Sequence, residues 1–354
     1  MFNACYQFQL NGTAITCELY GNGHINETYL VITDKGTWYI MQKINHIVFK
    51  DVPKLMQNIT SVTRHLGTKD SNPRHVLTVV PTLQGEDFLH DEEGYWRMYI
   101  FVTDSLCLER PESEQDFRNS AIAFGNFQNM LSDFPADTLN ETIPHFHDTP
   151  IRFQALEKAV KEDVKSRVKY ALDEIYFAFE RKEDCFLMTD MHKVGFLPLR
   201  VTHNDTKLNN VMLDAKTRKP LCVIDLDTVM PGLVGNDFGD SIRFGASTAA
   251  EDEKDLSRVE LSLPLFKAYT EGFLSACQEN LTHEEIKTLP LGAKLMTLEC
   301  GIRFLTDYIQ GDIYFRTHYP EHNLVRCRTQ FKLVAEMEKH WNEMNKIVKE
   351  VSNL

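Results

Sequence analysis

The densest group of polar side chains in the sequence lies in one loop, between Val201 and the apolar run that begins at Val211. The loop follows the pattern HxDxxxxN, in which His203, Asp205 and Asn210 occupy the fixed positions. A carboxylate and an amide at this spacing can face one centre, the carboxylate toward a substrate hydroxyl and the amide carbonyl toward a hard cation such as Mg2+. The pattern therefore predicts a loop that places a hydroxyl group beside a metal ion.

A second carboxylate, Asp225, follows two short β-like runs, residues 211–214 and 221–224. If these runs pair as a hairpin through a turn at residues 216–218, the chain returns and Asp225 lies beside Asn210. The two side chains then supply oxygen ligands from the open end of one hairpin. We therefore predict Asn210 and Asp225 as metal ligands.

Lys207 lies two residues after Asp205. Its ammonium group can reach a transferring phosphoryl group and offset the negative charge that develops there. Phosphoryl transfer depends chiefly on alignment and charge neutralisation, so a loop with Asp205, Lys207 and a metal ligand has the groups which that reaction needs. The alternative is an ordinary turn in which Asn and Asp side chains stabilise the backbone. The β-like run and the aspartate that follow favour the chemical interpretation.

Two regions of different pattern must position this loop. Residues 1–103 alternate short β-like runs with turns, which predicts a small antiparallel sheet with a single helix. Residues 104–354 are mainly helical, apart from a strand-rich stretch at 200–230. The fold class is therefore α+β with two lobes, and the cleft between the lobes is the expected ligand site. The predicted strands are 14–20, 28–33, 37–43, 76–81 and 95–102, and the predicted helices are 51–66, 114–132, 151–181, 262–280, 283–310 and 326–350.

The composition indicates a folded, acidic protein. At 354 residues, with 43% hydrophobic and 25% charged residues, the chain is long enough for two packed lobes. Its formal charge of -13 argues against a nucleic-acid partner, because an acidic surface repels phosphate-rich polymers. The eight cysteines form no CxxC pair and so indicate neither a zinc site nor a disulfide framework. With no signal-peptide pattern and no long apolar run, we expect a cytoplasmic protein without a membrane partner.

Six stretches of the sequence resemble the aminoglycoside phosphotransferase and choline kinase superfamily, and within it the bacterial N-acetylhexosamine 1-kinases. The resemblance extends over nearly the whole chain, and the stretch around Asp205 is the most specific. It implies a bilobal protein-kinase-like fold. The stretches are GNGHINETY at 21–29, FGNFQNMLSDF at 124–134, IPHFHDTPIRF at 143–153, RVTHNDTKLNNVMLD at 200–214, CVIDLDTVMPG at 222–232 and DFGDSIRFGA at 237–246.

The resemblance also implies a reaction. Similar enzymes use ATP and Mg2+ to phosphorylate the anomeric hydroxyl of N-acetylglucosamine or N-acetylgalactosamine. By its place in the motif, Asp205 looks like the catalytic base, and Asn210 and Asp225 look like the metal ligands. The anomeric hydroxyl is more acidic than an ordinary sugar alcohol, so orienting it toward the γ-phosphorus is a large part of the role expected for Asp205.

Candidate nucleotide contacts lie in or beside the N-terminal region. A two-glycine turn can fold over phosphates and donate backbone amides, and a lysine on a nearby strand can hold the α- and β-phosphates. The backbone between the two regions is expected to bond adenine, as in similar kinases. The candidates are Gly21, Gly23, Lys43, Phe101, Val102 and Thr103. The sequence departs from the usual kinase pattern at Lys43, because helix 51–66 has no glutamate to pair with it; either an amide replaces that carboxylate or Lys43 has another purpose.

Other polar residues near the loop have structural interpretations. The Asp-Phe-Gly sequence at 237–239 matches the metal motif of protein kinases, but it lies 27 residues after Asn210, too far for a short hairpin to return it. We therefore predict that Asp237 is structural and binds backbone amides. His203 is predicted to brace the loop. Asp227 and Asp240 are open between polar support of the site and helix caps.

Sugar recognition requires directional hydrogen bonds and an aromatic face. Glu299, Arg303 and Asp307 share one face of the predicted helix 283–310, and the segment around them is otherwise apolar. A solvated stripe of ion pairs is the alternative interpretation of this ladder. The candidate sugar contacts are His24, Asp205, Arg303 and Tyr314.

Two alternative functions remain open. The acceptor can be choline, homoserine, a methylthio sugar or an aminoglycoside, although a cationic acceptor calls for an acidic or aromatic cage that these candidates do not suggest. A kinase-like fold that binds nucleotide without catalysis is the other alternative. The intact set of Asp205, Lys207, Asn210 and Asp225 argues against it. The sequence indicates neither the preferred sugar epimer nor the oligomeric state.

Overall fold

A computed structural model describes residues 2–21 and 25–354. Within these residues, the N-terminal region contains five antiparallel strands and two helices, which are α1 (Phe2–Cys5), β1 (Ala14–Leu19), β2 (Glu27–Thr33), β3 (Trp38–Ile44), α2 (Val52–Lys69), β4 (Leu89–Asp91) and β5 (Gly94–Ile100). The strands lie in the order β1-β2-β3-β5-β4. The antiparallel sheet and its large helix are confirmed. The predicted strand at 76–81 is wrong as an element, because it makes only an isolated bridge from Val79 to Tyr99.

The two faces of the sheet contact different parts of the protein. Since side chains alternate along a strand, Met41 and Trp96 pack on one face, together with residues of α1. Ile44 and Tyr99 pack on the other face, against α2 and apolar side chains of the C-terminal region. This second face therefore packs against the C-terminal region.

Helix α2 covers that second face. Asp51 caps its first turn by accepting a hydrogen bond from the amide of Lys54, and Pro53 lies in the first turn, where a missing N–H has no cost. Its apolar residues recur at helical spacing and are buried: Val52, Leu55, Met56, Ile59, Val62 and Leu66.

The C-terminal region is mainly helical and includes two small sheets. Its elements are β6 (Ser105–Leu106), α3 (Glu114–Met130), α4 (Thr149–Glu162), α5 (Leu172–Glu180), α6 (Leu187–Lys193), β7 (Arg200–Thr202), β8 (Val211–Asp214), β9 (Pro220–Val223), β10 (Met230–Gly232), α7 (Val234–Gly245), α8 (Leu263–Cys277), α9 (His283–Lys287), α10 (Leu289–Gln310), α11 (His322–Lys339) and α12 (Trp341–Ser352). The helical character and the strand-rich stretch at 200–230 are confirmed. The division of the chain near residue 103 stays a prediction.

Three predicted helices are each divided in two. Helix α4 ends at Glu162, because the next residue, Asp163, has a left-handed backbone (φ 36°), so the single helix predicted for 151–181 is wrong. Pro290 lies in the first turn of α10, where it cannot donate to the preceding turn, and it separates α10 from α9. A third break occurs at His340, between α11 and α12. Helices α6 and α7 were not predicted.

Helices α7 and α10 cross with their backbones in close contact. A Cβ added at Gly239 would meet the backbone carbonyl of Gly292, and one added at Gly292 would meet the carbonyl of Gly235. Only glycine permits this approach. The crossing fixes α10 relative to α7, and α7 starts directly after β10. Over the described ranges, no helix has both the length and the apolar character needed to cross a membrane.

Candidate functional site

The hairpin predicted between Asn210 and Asp225 is present. Strands β8 and β9 pair antiparallel, with Val211 opposite Val223. The amide of Ile224 then donates to the carbonyl of Asn210 at 2.9 Å. This bond places Asp225, the next residue, beside Asn210 at the open end of the hairpin. Asp225 has a left-handed backbone (φ 60°), which aspartate tolerates better than most residues.

Asp237 holds the start of the HxD loop, residues 203–210. One carboxylate oxygen of Asp237 accepts from the amide of His203 at 2.9 Å and the other from the amide of Asn204 at 2.7 Å. The side chain of Gln128 donates a third bond at 2.8 Å. Burial raises the pKa of Asp237, although these donors oppose the rise. The prediction that Asp237 is a structural residue bound to backbone amides is confirmed.

His203 braces the same loop. Its ring is buried, with edge contacts to Phe124 and Phe127. Its Nε2 lies 2.8 Å from the carbonyl of Ile224, and its Nδ1 lies 3.3 Å from the amide of Asp205. One ring nitrogen faces an acceptor and the other faces a donor, so the neutral ring protonated at Nε2 satisfies both. This confirms the predicted bracing role.

The structure brings Asp205, Lys207 and Asn210 into direct contact. The ammonium of Lys207 lies 2.8 Å from Oδ1 of Asp205. The side-chain amide of Asn210 donates to Oδ2 of Asp205 at 3.1 Å and to its backbone carbonyl at 2.8 Å. Burial opposes ionisation of Asp205, but the charge of Lys207 and its hydrogen bond lower the pKa of this carboxyl overall. Asp205 is therefore an ionised carboxylate with a cation beside it.

The electrostatic surroundings of Asp225 differ from those of Asp205. Its side chain is open to solvent, while protein surrounds it on its other sides. This partial burial, together with the charges of Asp227 and Asp205, raises the pKa of Asp225 to about 6. A group of carboxylates that repel one another is relieved by a cation.

The donor set fits a hard divalent cation. Asn210 and Asp225 offer an amide oxygen and a carboxylate, the ligand types that Mg2+ prefers. In the described part of the chain, no cluster of three or more His, Cys, Asp or Glu side chains has the geometry of a metal site. A cation held by these two residues would therefore take its other ligands from water or from substrate phosphates, as Mg2+ commonly does.

A buried ion pair that the sequence analysis missed lies next to Asp225. The guanidinium of Arg97, on β5, pairs with Asp227, and both side chains are almost fully buried. Arg97 also donates to Gln42 at 2.9 Å, and Asp227 accepts from Asn26 at 2.6 Å. The pair joins the sheet to the segment that carries Asp225. Asp227 thus supports the site and is not a helix cap.

The structure does not bring Lys43 to this group. On β3, Gln42 and Lys43 point to opposite faces of the sheet. Gln42 faces Arg97, whereas the ammonium of Lys43 lies 5.4 Å from the centre of the Trp96 ring, on the face that packs with α1. The prediction that Lys43 holds phosphates conflicts with this placement. A sequence signal for Arg97 was available, because Arg97 is a charged residue within the otherwise apolar strand β5.

The remaining nucleotide candidates lie at two places. Gly21 has a left-handed backbone (φ 74°), as expected for a turn glycine, while Gly23 and His24 lie outside the described residues. In the segment after β5, the amide of Phe101 and the carbonyls of Val102 and Thr103 already bond within the protein. An adenine bound here would need the other backbone groups of this segment.

The ladder on α10 has divided roles. Asp307 is buried and accepts hydrogen bonds from the amides of Ile313, Tyr314 and Phe315 at 2.8–2.9 Å, so it fixes the turn that carries Tyr314. Glu299 is also buried. The alternative of a solvated ion-pair stripe is wrong for these two carboxylates.

Arg303 and Tyr314 lie together, as the sugar hypothesis requires. The guanidinium of Arg303 is 5.9 Å from the centre of the Tyr314 ring, 5.4 Å from that of Phe315 and 5.8 Å from that of Phe146. Tyr314 is 68% exposed, so its ring is accessible to a ligand. The group combines a directional donor with aromatic faces.

Comparison with known proteins places this geometry in a family. The sequence model of the phosphotransferase enzyme family matches residues 16–264. The chain belongs to that family. The match includes the sheet, the HxD loop and the hairpin, but it ends before Arg303 and Tyr314. Membership therefore bears on the phosphoryl-transfer centre and leaves the acceptor open.

Solved structures share the whole fold. An aminoglycoside phosphotransferase from Alicyclobacillus acidocaldarius is 12% identical, with a TM-score of 0.65 over 100% of this chain and 97% of that chain. The amicoumacin kinase hAmiN, solved with AMP-PNP and Ca2+, is 14% identical, with a TM-score of 0.61 over 92% of this chain and 90% of that chain. An ethanolamine kinase from Plasmodium vivax is 14% identical, with a TM-score of 0.56 over 89% and 82%. The protein-kinase-like fold class is confirmed.

Proposed function

We propose that this phosphotransferase is an ATP-dependent kinase that phosphorylates the anomeric hydroxyl of N-acetylhexosamines. The observation that carries the proposal is the contact of Asp205 with both Lys207 and Asn210, beside Asp225. A carboxylate, a cation and two oxygen ligands are the groups that phosphoryl transfer uses. The structural relative hAmiN contains AMP-PNP and Ca2+, which supports ATP and a divalent cation for this chain. We assign Mg2+, with Asn210 and Asp225 as its protein ligands.

In this mechanism the side chains align the hydroxyl and balance charge. Asp205 accepts the hydrogen bond of the acceptor hydroxyl, orients its oxygen toward the γ-phosphorus and takes its proton as the new P–O bond forms. The bond from the γ-phosphorus to the bridging oxygen breaks, and ADP leaves. Lys207 faces the oxygens of the transferring group. The metal ion, when bound, supplies neutralisation of the triphosphate.

The nucleotide is assigned to the cleft above this centre. Gly21 is a proposed contact to phosphate, and Gly23 is assigned with it from the sequence alone. The segment Phe101 to Thr103, including Val102, is the proposed edge of the adenine site. Tyr20 and Trp38 contact the ring of Phe101 at centroid distances of 5.9 and 5.3 Å. This aromatic group offers an apolar surface for a base.

The acceptor assignment rests on the cluster around Arg303. A neutral sugar needs donors and aromatic faces, and Arg303 with Tyr314 provides both. A cationic acceptor calls for an acidic or aromatic cage, and here Arg303 adds a positive charge among the aromatic rings. The two carboxylates of the α10 ladder are not free, because Glu299 accepts from Thr149 at 2.7 Å and Asp307 accepts three backbone amides. The ladder therefore favours a neutral acceptor over choline or an aminoglycoside. His24 is assigned to the sugar from the sequence alone.

A coupled assay of ADP release tests the reaction and the acceptor together. The panel comprises N-acetylglucosamine, N-acetylgalactosamine, glucose, galactose, N-acetylglucosamine methylated at O1, choline and homoserine. We expect turnover of the two free N-acetylhexosamines and none of the capped sugar. Turnover of the capped sugar would show that another hydroxyl is phosphorylated. Turnover of choline alone would show that choline, and not an N-acetylhexosamine, is the acceptor.

Two variants test the residue roles. Asp205→Ala is expected to lower kcat by at least about 10²-fold while the fold persists, and Asp190→Ala, which removes an exposed partner of Lys193, is the control. Full activity of Asp205→Ala would remove Asp205 from its role. Arg303→Met is expected to raise KM for the sugar about 10- to 100-fold, with KM for ATP unchanged.

A further inference from the structure

His147 connects the HxD loop to helix α10. Its Nδ1 lies 3.0 Å from Oε1 of Glu299, and its Nε2 lies 3.0 Å from the backbone carbonyl of Asn204. A carboxylate and a carbonyl both accept hydrogen bonds and donate none. The ring can satisfy the two partners together only when both of its nitrogens carry a proton. With Glu299 ionised, this geometry calls for an imidazolium.

The surroundings support a charged ring. The other oxygen of Glu299 accepts from the hydroxyl of Thr149 at 2.7 Å, so this carboxylate makes only bonds suited to its ionised form. Burial opposes the charge on His147, but the hydrogen bond and charge of Glu299 more than offset it and raise the pKa of His147 above its usual value of 6.5. Burial likewise opposes the ionisation of Glu299, yet its contact with His147 lowers the pKa of this carboxyl.

The carbonyl that His147 binds belongs to the residue before Asp205. Asn204 has a left-handed backbone (φ 63°), a conformation that a non-glycine residue keeps only when its surroundings hold it. Asp237 holds the amide of Asn204, and His147 holds its carbonyl. Because a peptide unit is planar, a fixed carbonyl fixes the direction in which Asp205 continues.

We propose that the imidazolium of His147 is a positioning residue that ties the HxD loop to the acceptor-binding helix α10. The tie runs from Glu299 through His147 to Asn204, and Arg303 lies one turn after Glu299 on the same helix. This inference rests on the proposed roles of Asp205 and Arg303. It makes the orientation of the proposed reacting carboxylate depend on the protonation of His147.

The direction of the pH dependence follows from the two partners. A raised pKa means that the tie is intact below the unfolded pKa of 6.5 and is lost as pH rises through the folded value. When the ring loses one proton, the charge of Glu299 retains the proton on Nδ1, so Nε2 faces the carbonyl of Asn204 without a hydrogen. The loop then loses the hydrogen bond from His147 to the carbonyl of Asn204, and kcat falls at alkaline pH.

The other charged groups that face this site set the position of the fall. Asp240 on α7 favours the charged ring, and the charges of Arg303 on α10 and Arg152 on α4 act on the facing Glu299. On the segment of His147 itself, His145 and Asp148 pair with each other at 3.4 Å.

Nitrogen NMR of 15N-histidine-labelled protein, without nucleotide or sugar, tests the protonation directly. We expect both ring nitrogens of His147 to be protonated at pH 7. A neutral ring at pH 7 overturns the proposal. The measurement needs no assumption about the acceptor, so it stays decisive even if the proposed sugar is not turned over.

Three variants test the positioning role. His147→Gln cannot bridge both partners and is expected to lower kcat about 10- to 100-fold, the range for misalignment of a reacting group, with KM for ATP unchanged. His65→Gln is the control, because His65 lies on α2 and its hydrogen bond goes to the exposed Asp133 at 2.9 Å. Equal kcat values for these two variants overturn the proposal.

Glu299→Gln gives the sharper result. The new amide can donate to Nδ1 of His147, so the neutral ring keeps its Nε2 proton for Asn204 at every pH. We expect the nitrogen spectrum to show a neutral ring in this variant and the alkaline fall in kcat to disappear. An alkaline fall identical to that of the wild type overturns the tie. Full activity of Asp205→Ala would instead show that the proposed function is wrong.

Discussion

Removing one partner of the buried pair of Arg97 and Asp227 should cost more stability than breaking an exposed ion pair. Their side chains are 1% and 5% exposed, so loss of one partner leaves a charge in a place that water does not reach. We expect Arg97→Met to lower the free energy of unfolding by about 3–5 kcal/mol. A single domain is stable by only about 5–15 kcal/mol. The variant should therefore fold but denature at clearly lower urea concentration.

A double-mutant cycle measures the pair directly. Urea unfolding is followed for wild type, Arg97→Met, Asp227→Asn and the double variant, and the double variant is expected to lose at least about 2 kcal/mol less than the sum of the single losses. Arg64→Met is the control. Arg64 and Asp87 pair at 2.7 Å but are 71% and 28% exposed, so its loss should stay below about 1 kcal/mol. A loss at Arg97 no larger than at Arg64, or a coupling near zero, would refute the reasoning.

Three further variants have defined outcomes. Asp225→Asn should raise the thermal stability of the metal-free protein at pH 7–8 and not at pH 4, because a carboxyl with its pKa raised to about 6 destabilises the fold as it ionises; calorimetry at both pH values checks this. Asn210→Asp should lower kcat even where Mg2+ titration shows saturation, since it replaces a donor to Asp205 with a like charge. Gly239→Ala should destabilise by about 1–3 kcal/mol through backbone overlap, whereas Gly67→Ala, in open space on α2, should be neutral or stabilising in the same urea assay.

The geometry of the candidate site was predictable because the site is local in sequence. Asp205, Lys207 and Asn210 lie within one loop, and Asp225 returns to them through a single hairpin whose two strands are four residues each. Turn chemistry and strand period decide such a geometry without knowledge of the rest of the fold. The structural role of Asp237 followed from the same distance argument.

The sequence did not reveal contacts between residues that are distant in sequence, nor a helix whose glycines lower its helix propensity. Arg97 and Asp227 are 130 positions apart, and no spacing rule links them. The alternation along β3 separates Lys43 from Gln42, but the sequence cannot show which face of the sheet meets the rest of the chain, so it cannot show that Lys43 lies on the face of Trp96. Helix α7 was missed because its glycines lower helix propensity, although they serve the crossing with α10.

Asn210 shows why the loop has an amide where a third carboxylate would also supply an oxygen ligand. Its nitrogen donates to the backbone and to the side chain of Asp205, which leaves its oxygen as the atom available to a cation. A carboxylate at this position would face Oδ2 of Asp205 at about 3 Å without a hydrogen between them, and like charges that close cannot both stay ionised. In one orientation, the amide can therefore offer its oxygen to the proposed metal ion and its nitrogen to Asp205, the proposed reacting carboxylate. The ammonium of Lys207 contacts the other oxygen of Asp205, Oδ1. Lys207 can therefore turn toward a phosphate while Asn210 still donates its hydrogen bond to Asp205.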